Sequence, residues 1–377
     1  MALTKVDQTM VSDQVFGRRN LVINGAMTVA QRGTSATALT SGGLFLIDRF
    51  EGIESTNGAA TVEQSSDTPA GFAKSLKLAV TTADTDMGGG QYSRLKYVIE
   101  AQDLQRLNYG TSDAETITLS FWVKSSKTGT YCFSLVKEDS TQYFYVKEYT
   151  ISSANTWEKK KITITPTAGS TTLITNSAGA IADDNGAGLQ LGWFLSAGTT
   201  YNGATNDAWS SNSNHFATSN QVNWMDSTSN DFYLTGVQLE IGDNATPFEH
   251  LTFDEQSSLC KRYYQQYSGF HAMAMWTYGR NNGSCQFVLE KEMRSQPSSS
   301  YSGSLSDTGV SSGTAGVYEA DWVAFSSLTL SPTSHESGNS KMIRLDTLHP
   351  ANTFASNNVA VGIYFSDTFY LKFDAEL

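Results

Sequence analysis

"ETITLSFWVKS", residues 115–125, decides the fold. Ile117, Leu119, Phe121 and Val123 share one parity, and Thr118, Ser120, Trp122 and Lys124 share the other. That alternation is a strand with one apolar face, and its β-branched and aromatic content agrees. Working outward, "TYCFSLVKE" (130–138) alternates again after Lys127-Thr128-Gly129, which predicts a hairpin. "WEKKKITITPT" (157–167) puts Ile162 and Ile164 inside, and "GLQLGWFLSAG" (188–198) reads as a buried strand. In "DFYLTGVQLEIG" (231–242) the phase slips: Phe232 and Leu234 have one parity, Val237, Leu239 and Ile241 the other. A β-bulge at Gly236 would keep both sets facing the core. Near the C-terminus, Val359, Val361, Ile363 and Phe365 share a face, a Ser366-Asp367 turn follows, and Phe369, Leu371 and Phe373 alternate again. Strand follows strand without intervening helices. The expected fold is therefore all-β, an antiparallel jelly-roll β-sandwich.

One helix interrupts this pattern, in "TFDEQSSLCKRYYQQY" (252–267). Thr252 and Glu255 have capping-box spacing, and Leu259, Tyr263 and Tyr267 give a stripe at four-residue steps. The expected organisation is a docking arm over 1–19 with the basic pair Arg18 and Arg19, a jelly roll over 20–251, a connecting helix over 252–268, and a small C-terminal β-sandwich domain over 269–377.

Composition removes several function classes. Charged residues are 16% of the 377, and the formal net charge is −12. Nucleic-acid binding needs a basic footprint, so that partner is not expected. No stretch approaches the ~20 apolar residues of a membrane span, and the N-terminus lacks the apolar core of a secretory signal. Cys132, Cys260 and Cys285 are odd in number and show no C-x-x-C spacing, which disfavours structural zinc and a disulfide framework.

The chemistry-bearing patterns are few. Gly42-Gly43 and Gly88 to Gly90 complete no phosphate-binding motif and read as turns. There is no G-x-S-x-G, and His215, His250, His271, His335 and His349 are scattered without helical metal spacing. No cofactor and no catalytic residue is expected. "IADDNGAG" (181–188) offers three hard oxygen donors, Asp183, Asp184 and Asn185, on a Gly-bearing loop, and Ca2+ is the ion such chemistry would accept. The long polar region between 165 and 230 gives the better lead. Trp209, Asn212, Asn214, Asn223 and Trp224 combine aromatic faces with amide hydrogen bonds, the means by which proteins hold sugars, and are the glycan-binding candidates.

Further motifs carry a resemblance. "NLVINGAMTVAQRGTS" (20–35) is followed by "LIDRF" (46–50), later by "LTGVQLEIGDNATPFEH" (234–250), "LCKRYYQQY" (259–267), "EKEMRSQPSSSYSG" (290–303) and the terminal "FDAEL". In this order, from Asn20 to Leu377, they resemble bacteriophage tail-fibre and related virion structural proteins. Ala26-Met27 and Phe50 depart from the residues usual in that family, and the 166–230 region matches none of its motifs. The resemblance implies a carbohydrate-binding-module-like jelly roll whose first strand is "NLVINGAMTVAQRGTS", a connecting helix and a small β domain, with no catalytic residue to carry over. It also implies a virion protein made in the host cytoplasm, a homotrimer touching other tail or capsid proteins and a host surface glycan. The expected function is a non-enzymatic tail fibre or receptor-binding appendage. A capsid decoration (cement) protein and a polysaccharide depolymerase are the alternatives.

Overall fold

A computed structural model describes residues 18–377 except 269–270, 278–281, 306–313, 319–321, 324–326, 333–341, 349–359 and 366–368. Residues 1–17 of the expected arm, Val359 and the Ser366-Asp367 turn lie outside the described residues. The chain divides into two compact units, Met1–Gln256 and Ser257–Glu376.

Among the described residues the first unit has thirteen strands. The earlier ones are β1 (Ser35–Leu39), β2 (Gly42–Phe45), β3 (Phe50–Glu54), β4 (Ala59–Ser65), β5 (Ser75–Thr82) and β6 (Tyr92–Glu100). The stretch that opened the reading is β7 (Ile117–Ser125), followed by β8 (Gly129–Lys137), β9 (Tyr143–Ile151) and β10 (Glu158–Ile164). The last are β11 (Ala187–Ala197), β12 (Ala208–Ser210) and β13 (Asp231–Ile241). They make two antiparallel sheets, ordered β1-β4-β5-β13-β7-β10 and β12-β9-β8-β11-β6-β3-β2. This is the expected antiparallel jelly-roll β-sandwich.

The core lies between the sheets. Ile117, Leu119, Phe121 and Val123 are fully buried on one side, and Leu95, Phe133, Leu135, Leu191 and Trp193 on the other. The Trp193 ring sits 5.5–6.3 Å from the rings of Phe133, Phe121 and Phe50. Each such side chain contributes roughly 1.5–3 kcal/mol by leaving water. The bulge also forms: the register between β13 and β7 shifts between Thr235 and Gln238, and Gly236 has φ +61°. A Cβ there would meet Phe72 Cζ at 2.7 Å, so glycine is demanded twice, by dihedral and by space.

Three expectations are corrected. β7 and β8 are not a hairpin, because β7 lies in the six-stranded sheet and β8 in the seven-stranded one, where β8 pairs with β9 and β11. The chain crosses the core at residues 126–128, and two alternating strands look alike whether they share a sheet or face across it. The stretch 20–35 is not a strand either. Asn24 and Met27 have φ of +61° and +58°, and β1 starts only at Ser35. The helix is shorter than expected, α1 (Phe253–Cys260), and Tyr264–Tyr267 are already strand β14. The Thr252–Glu255 capping box forms, with Glu255 N–H on Thr252 Oγ1 at 3.3 Å and Thr252 N–H on Glu255 Oε2 at 3.0 Å.

Among the described residues the second unit holds two sheets. β14 and two later strands, β17 (Ser298–Ser302) and β24 (Tyr370–Asp374), form a three-stranded antiparallel sheet with β24 central. The other sheet contains β15 (His271–Thr277), β16 (Asn282–Val288), β18 (Ser304–Leu305), β19 (Thr314–Tyr318) and β20 (Trp322–Val323). It is completed by β21 (Ser327–Pro332), β22 (Met342–Leu348) and β23 (Ala360–Phe365). Phe369, Leu371 and Phe373 are buried with Tyr263, Tyr264, Leu289 and Met293. The period-two reading of the chain end holds there.

Candidate functional site

The residues that carry the resemblance form a structural latch. Asn20 Oδ1 accepts the N–H groups of Val22 (2.9 Å) and Leu239 (3.1 Å), and Asn20 Nδ2 donates to Val237 O (3.1 Å). Gly25 O receives Val237 N–H at 2.9 Å. The Glu249 carboxylate accepts the N–H groups of Arg19 and Asn20. Asn24 donates to Val29 O and Asp48 O, both at 2.9 Å, and Asp48 accepts from the Gln31 backbone at 2.8 Å. Arg49 lies over the Tyr97 ring, and the Tyr97 hydroxyl accepts Ile23 N–H at 2.7 Å. Arg19 is also spent internally, donating to Thr246 Oγ1 (3.0 Å) and Pro247 O, while Arg18 donates to Val22 O. The basic pair of the expected docking arm is thus folded onto its own unit.

A concave feature of different character lies on the outer face of the seven-stranded sheet. Here Cys132, Val146 and Phe194 point away from the core yet are buried. The loop 198–222 covers them and places Ala217 and Phe216 against this second apolar patch. Phe216 stacks on Phe194 with ring centroids 5.6 Å apart and meets Phe144 edge-on at 5.4 Å. Backbone bonds hold the loop: Ala204 to Ala217 at 3.0 Å, Ala217 to Tyr201 at 3.0 Å and Asp207 to Val146 at 2.7 Å.

Between this loop, β9 and β12 is a pocket of about 290 Å³. It is lined by the apolar Phe144 and Val146, by Gly169, Ala204 and Ala208, by the polar Thr205, Ser210 and His215, and by Trp209. His215 Nε2 accepts Asn212 Nδ2–H at 2.9 Å, so Nδ1 carries the ring proton and donates to Ser210 Oγ at 2.9 Å. Ser210 Oγ also accepts Asn212 N–H at 3.0 Å, which leaves its hydroxyl proton to donate at the pocket wall. Burial holds the His215 pKa below the usual histidine value, so the ring is neutral at pH 7. Asp207, next to the pocket, accepts Tyr145 O–H and Lys147 Nζ, both at 2.6 Å. Burial alone would raise that carboxyl, but these two hydrogen bonds outweigh it and lower its pKa.

The structure sorts the sequence candidates. Trp209 lines the pocket but is 3% exposed; its indole N–H donates to Thr165 O at 3.0 Å and its ring packs on Tyr145. Opposite Tyr145 in the β12–β9 register, its ring faces the core between the sheets, away from Phe144 and Val146. Asn212 and Asn214 are exposed at the rim, with Asn214 N–H on Asn212 Oδ1 at 3.0 Å. Trp224 is wholly buried in the core and presents no ring face. Asn223 belongs to the fold as well, accepting from Met225 N–H and Ser196 Oγ and donating to Asp84 O. Both residues leave the candidate site, because a tryptophan in a polar stretch can cap a core from beneath. Asp184 Oδ1 accepts Gly186 N–H at 2.7 Å, which closes the turn that carries Asp183 and Asn185. Among the described residues no group of three His, Cys, Asp or Glu side chains is placed to hold a metal ion.

Sequence reasoning missed Phe144, Val146, Thr205, Ser210 and His215. A signal existed: Tyr131-Cys132-Phe133 and Trp193-Phe194-Leu195 are apolar at both parities, which means the sheet is covered on both faces there.

No protein-family model matches the sequence, and no curated protein matches it. Among solved structures, the chain is similar to the enzymatically active domain of tailspike protein 4 of bacteriophage CBA120, with 14% identity and a TM-score of 0.29. That match covers 59% of this chain and 21% of the tailspike chain. The chain is also similar to the C-terminal family 22 carbohydrate-binding module of a Clostridium thermocellum protein, with 15% identity and a TM-score of 0.28, over 53% of this chain and 90% of that one. The family 11 carbohydrate-binding module of a Clostridium thermocellum cellulosomal cellulase is similar at 12% identity and a TM-score of 0.28, over 55% and 99% of the two chains.

Proposed function

We propose that this chain is a non-enzymatic, glycan-contacting protein of a bacteriophage virion, a tail fibre or receptor-binding appendage, and that the pocket under loop 198–222 holds the sugar. The observation that carries the binding part is the pocket lining, which brings apolar Phe144 and Val146 together with hydrogen-bonding groups on Thr205, Ser210 and His215. A sugar ring has the same two characters, a C–H face and a rim of hydroxyls. At about 290 Å³ the pocket is at the small end of ligand sites, which suits one terminal sugar and not an extended chain. None of its nine lining residues is a carboxylate. The virion part rests on the motif resemblance. A trimer and a surface position follow from that reading alone.

Two measurements test the proposal. The full chain is screened on an array of bacterial surface glycans, alongside a His215→Ala, Ser210→Ala variant. Binding to a defined terminal sugar that the variant loses supports it, and a blank array contradicts it. Antibody labelling of intact particles under the electron microscope tests the location. Label on the tail is expected; label spread over the head favours the decoration role instead.

A further inference from the structure

The sequence holds five Asn-Gly pairs, at Asn24, Asn57, Asn185, Asn202 and Asn282. In such a pair the glycine backbone nitrogen can attack the asparagine side-chain amide, because no Cβ crowds the approach. The attack needs a nitrogen free of hydrogen bonds, an amide free to turn, and access to water. Four pairs fail these conditions. Asn24 is wholly buried, and its amide is bonded to Val29 O, Asp48 O and Val29 N–H. Gly58 N–H is held by Thr56 Oγ1 at 3.0 Å, and Gly186 N–H by Asp184 Oδ1 at 2.7 Å. Gly283 lies inside β16, in register with Thr347 of β22 and Thr277 of β15.

Asn202-Gly203, in loop 198–222, meets all three. Asn202 is partly exposed and Gly203 exposed, and among the described residues neither the Asn202 side chain nor Gly203 N–H has a hydrogen-bond partner. A Cβ at Gly203 would meet nothing within 4 Å, so the space around this peptide is open. The pair is also a short bridge between two pinned points. Tyr201 O accepts Ala217 N–H at 3.0 Å, and Ala204 N–H donates to Ala217 O at 3.0 Å. Ala204 and Thr205, the next two residues, line the pocket.

We propose that Asn202 is a self-modification site that weakens the pocket as the protein ages. The Gly203 nitrogen bonds to Asn202 Cγ, the Cγ–Nδ2 bond breaks, and Nδ2 leaves as ammonia with the Gly203 proton. Water then opens the cyclic imide at either carbonyl. The product is aspartate or, with the main chain rerouted through the side chain, isoaspartate. Water is consumed, ammonia is released, and nothing is oxidised or reduced. Isoaspartate lengthens the backbone between Tyr201 and Ala204 by a carbon, and both products add a carboxylate. A bridge pinned at both ends cannot take the extra atom without shifting Ala204 and Thr205. The loss of affinity rests on the glycan-binding reading above; the chemistry does not.

The full chain is aged at mildly alkaline pH. Peptide mass spectrometry follows the gain of about 1 Da at each pair, and an isoaspartyl methyltransferase assay separates the isomers. Asn202 is expected to convert at least about tenfold faster than the other four asparagines. Gly203→Ala, whose Cβ has room, is expected to slow it at least about tenfold. In urea the four protected pairs should approach the rate of Asn202. Conversion of Asn202 no faster than the others in the folded chain overturns the proposal. Calorimetric titration with the best array glycan reads the consequence. The aged native chain is expected to bind at least about fivefold more weakly than the fresh one, and aged Gly203→Ala as well as fresh. Conversion with unchanged affinity overturns the weakening of the pocket. A fresh native chain that binds no glycan overturns the pocket reading and the weakening with it, and leaves the conversion site standing on its mass signature.

Discussion

The Glu249 carboxylate accepts the backbone N–H of Asn20 at 2.8 Å, across 229 residues of sequence. The two ends of the jelly roll are therefore tied by one side chain, with Asn20 in turn bonded to β13. Asn20 and Glu249, which stand in the first and the last motif of the jelly-roll stretch, are the two halves of this tie. They report how the sandwich closes and not what it binds.

Glu249→Ala is expected to cost about 2 kcal/mol, because it strands the N–H groups of Arg19 and Asn20. Urea unfolding of the full chain measures it. Glu249→Gln, which keeps an acceptor oxygen, should recover part of the loss.

Gly25→Ala tests the same closure through space instead of hydrogen bonding. A Cβ at Gly25 would lie 2.0 Å from Val237 O, so the segment must lift from β13. A loss of about 3 kcal/mol is expected, with a lowered melting temperature as the readout. An unchanged melting temperature would mean that residues 20–25 do not sit on β13.

Trp224 and His215 separate core from site. Trp224→Ala removes a fully buried ring and is expected to cost about 3–5 kcal/mol. His215→Ala, on the partly exposed polar side of the pocket, should stay within about 0.5 kcal/mol of the native chain while weakening glycan binding. Thermal melts of the two variants side by side decide this.

Much of the fold was legible because burial imposes a period. Ile117 to Val123 and Phe232 to Ile241 show which face is inside, and even the bulge at Gly236 follows from a parity slip. Parity says nothing about which sheet a strand joins, which is why β7 and β8 resembled a hairpin. The site was less legible for a related reason. Its walls come from Phe144 in β9, Gly169 in a turn and Thr205 in a loop, and only the tertiary fold brings these together. Asn223 and Trp224 have the composition of a sugar site, yet their chemistry is consumed by Met225, Ser196 and the core.

The pH response of His215 has a definite sign. Burial lowers its pKa below the ordinary value of 6.5. Above that value the folded and unfolded states are both neutral and His215 adds no pH dependence. As pH falls below it, the unfolded chain takes up the proton first, so stability declines. The urea midpoint of the native chain should fall between pH 7 and pH 5 by more than that of His215→Gln. Glycan affinity should fall over the same range.

Glu54 responds in the opposite direction. It is fully buried, and burial raises its carboxyl above the usual 4.5 against the hydrogen bonds from Thr56 and Ser93. The folded state therefore holds the proton more tightly, and its stabilising contribution is complete below the unfolded value and lost as pH rises. Glu54→Gln is expected to melt about 2–4 °C higher than the native chain at pH 7, with the gap closing toward pH 4. A gap that widens on acidification would contradict this.

The most direct measurement of the central claim is a calorimetric titration of the best array glycan into the native chain and into the His215→Ala, Ser210→Ala variant. Saturable binding by the native chain, weakened at least about tenfold in a variant with an unchanged melting temperature, is the expected result. Equal affinity in the two proteins would contradict the assignment of the sugar to the pocket under loop 198–222.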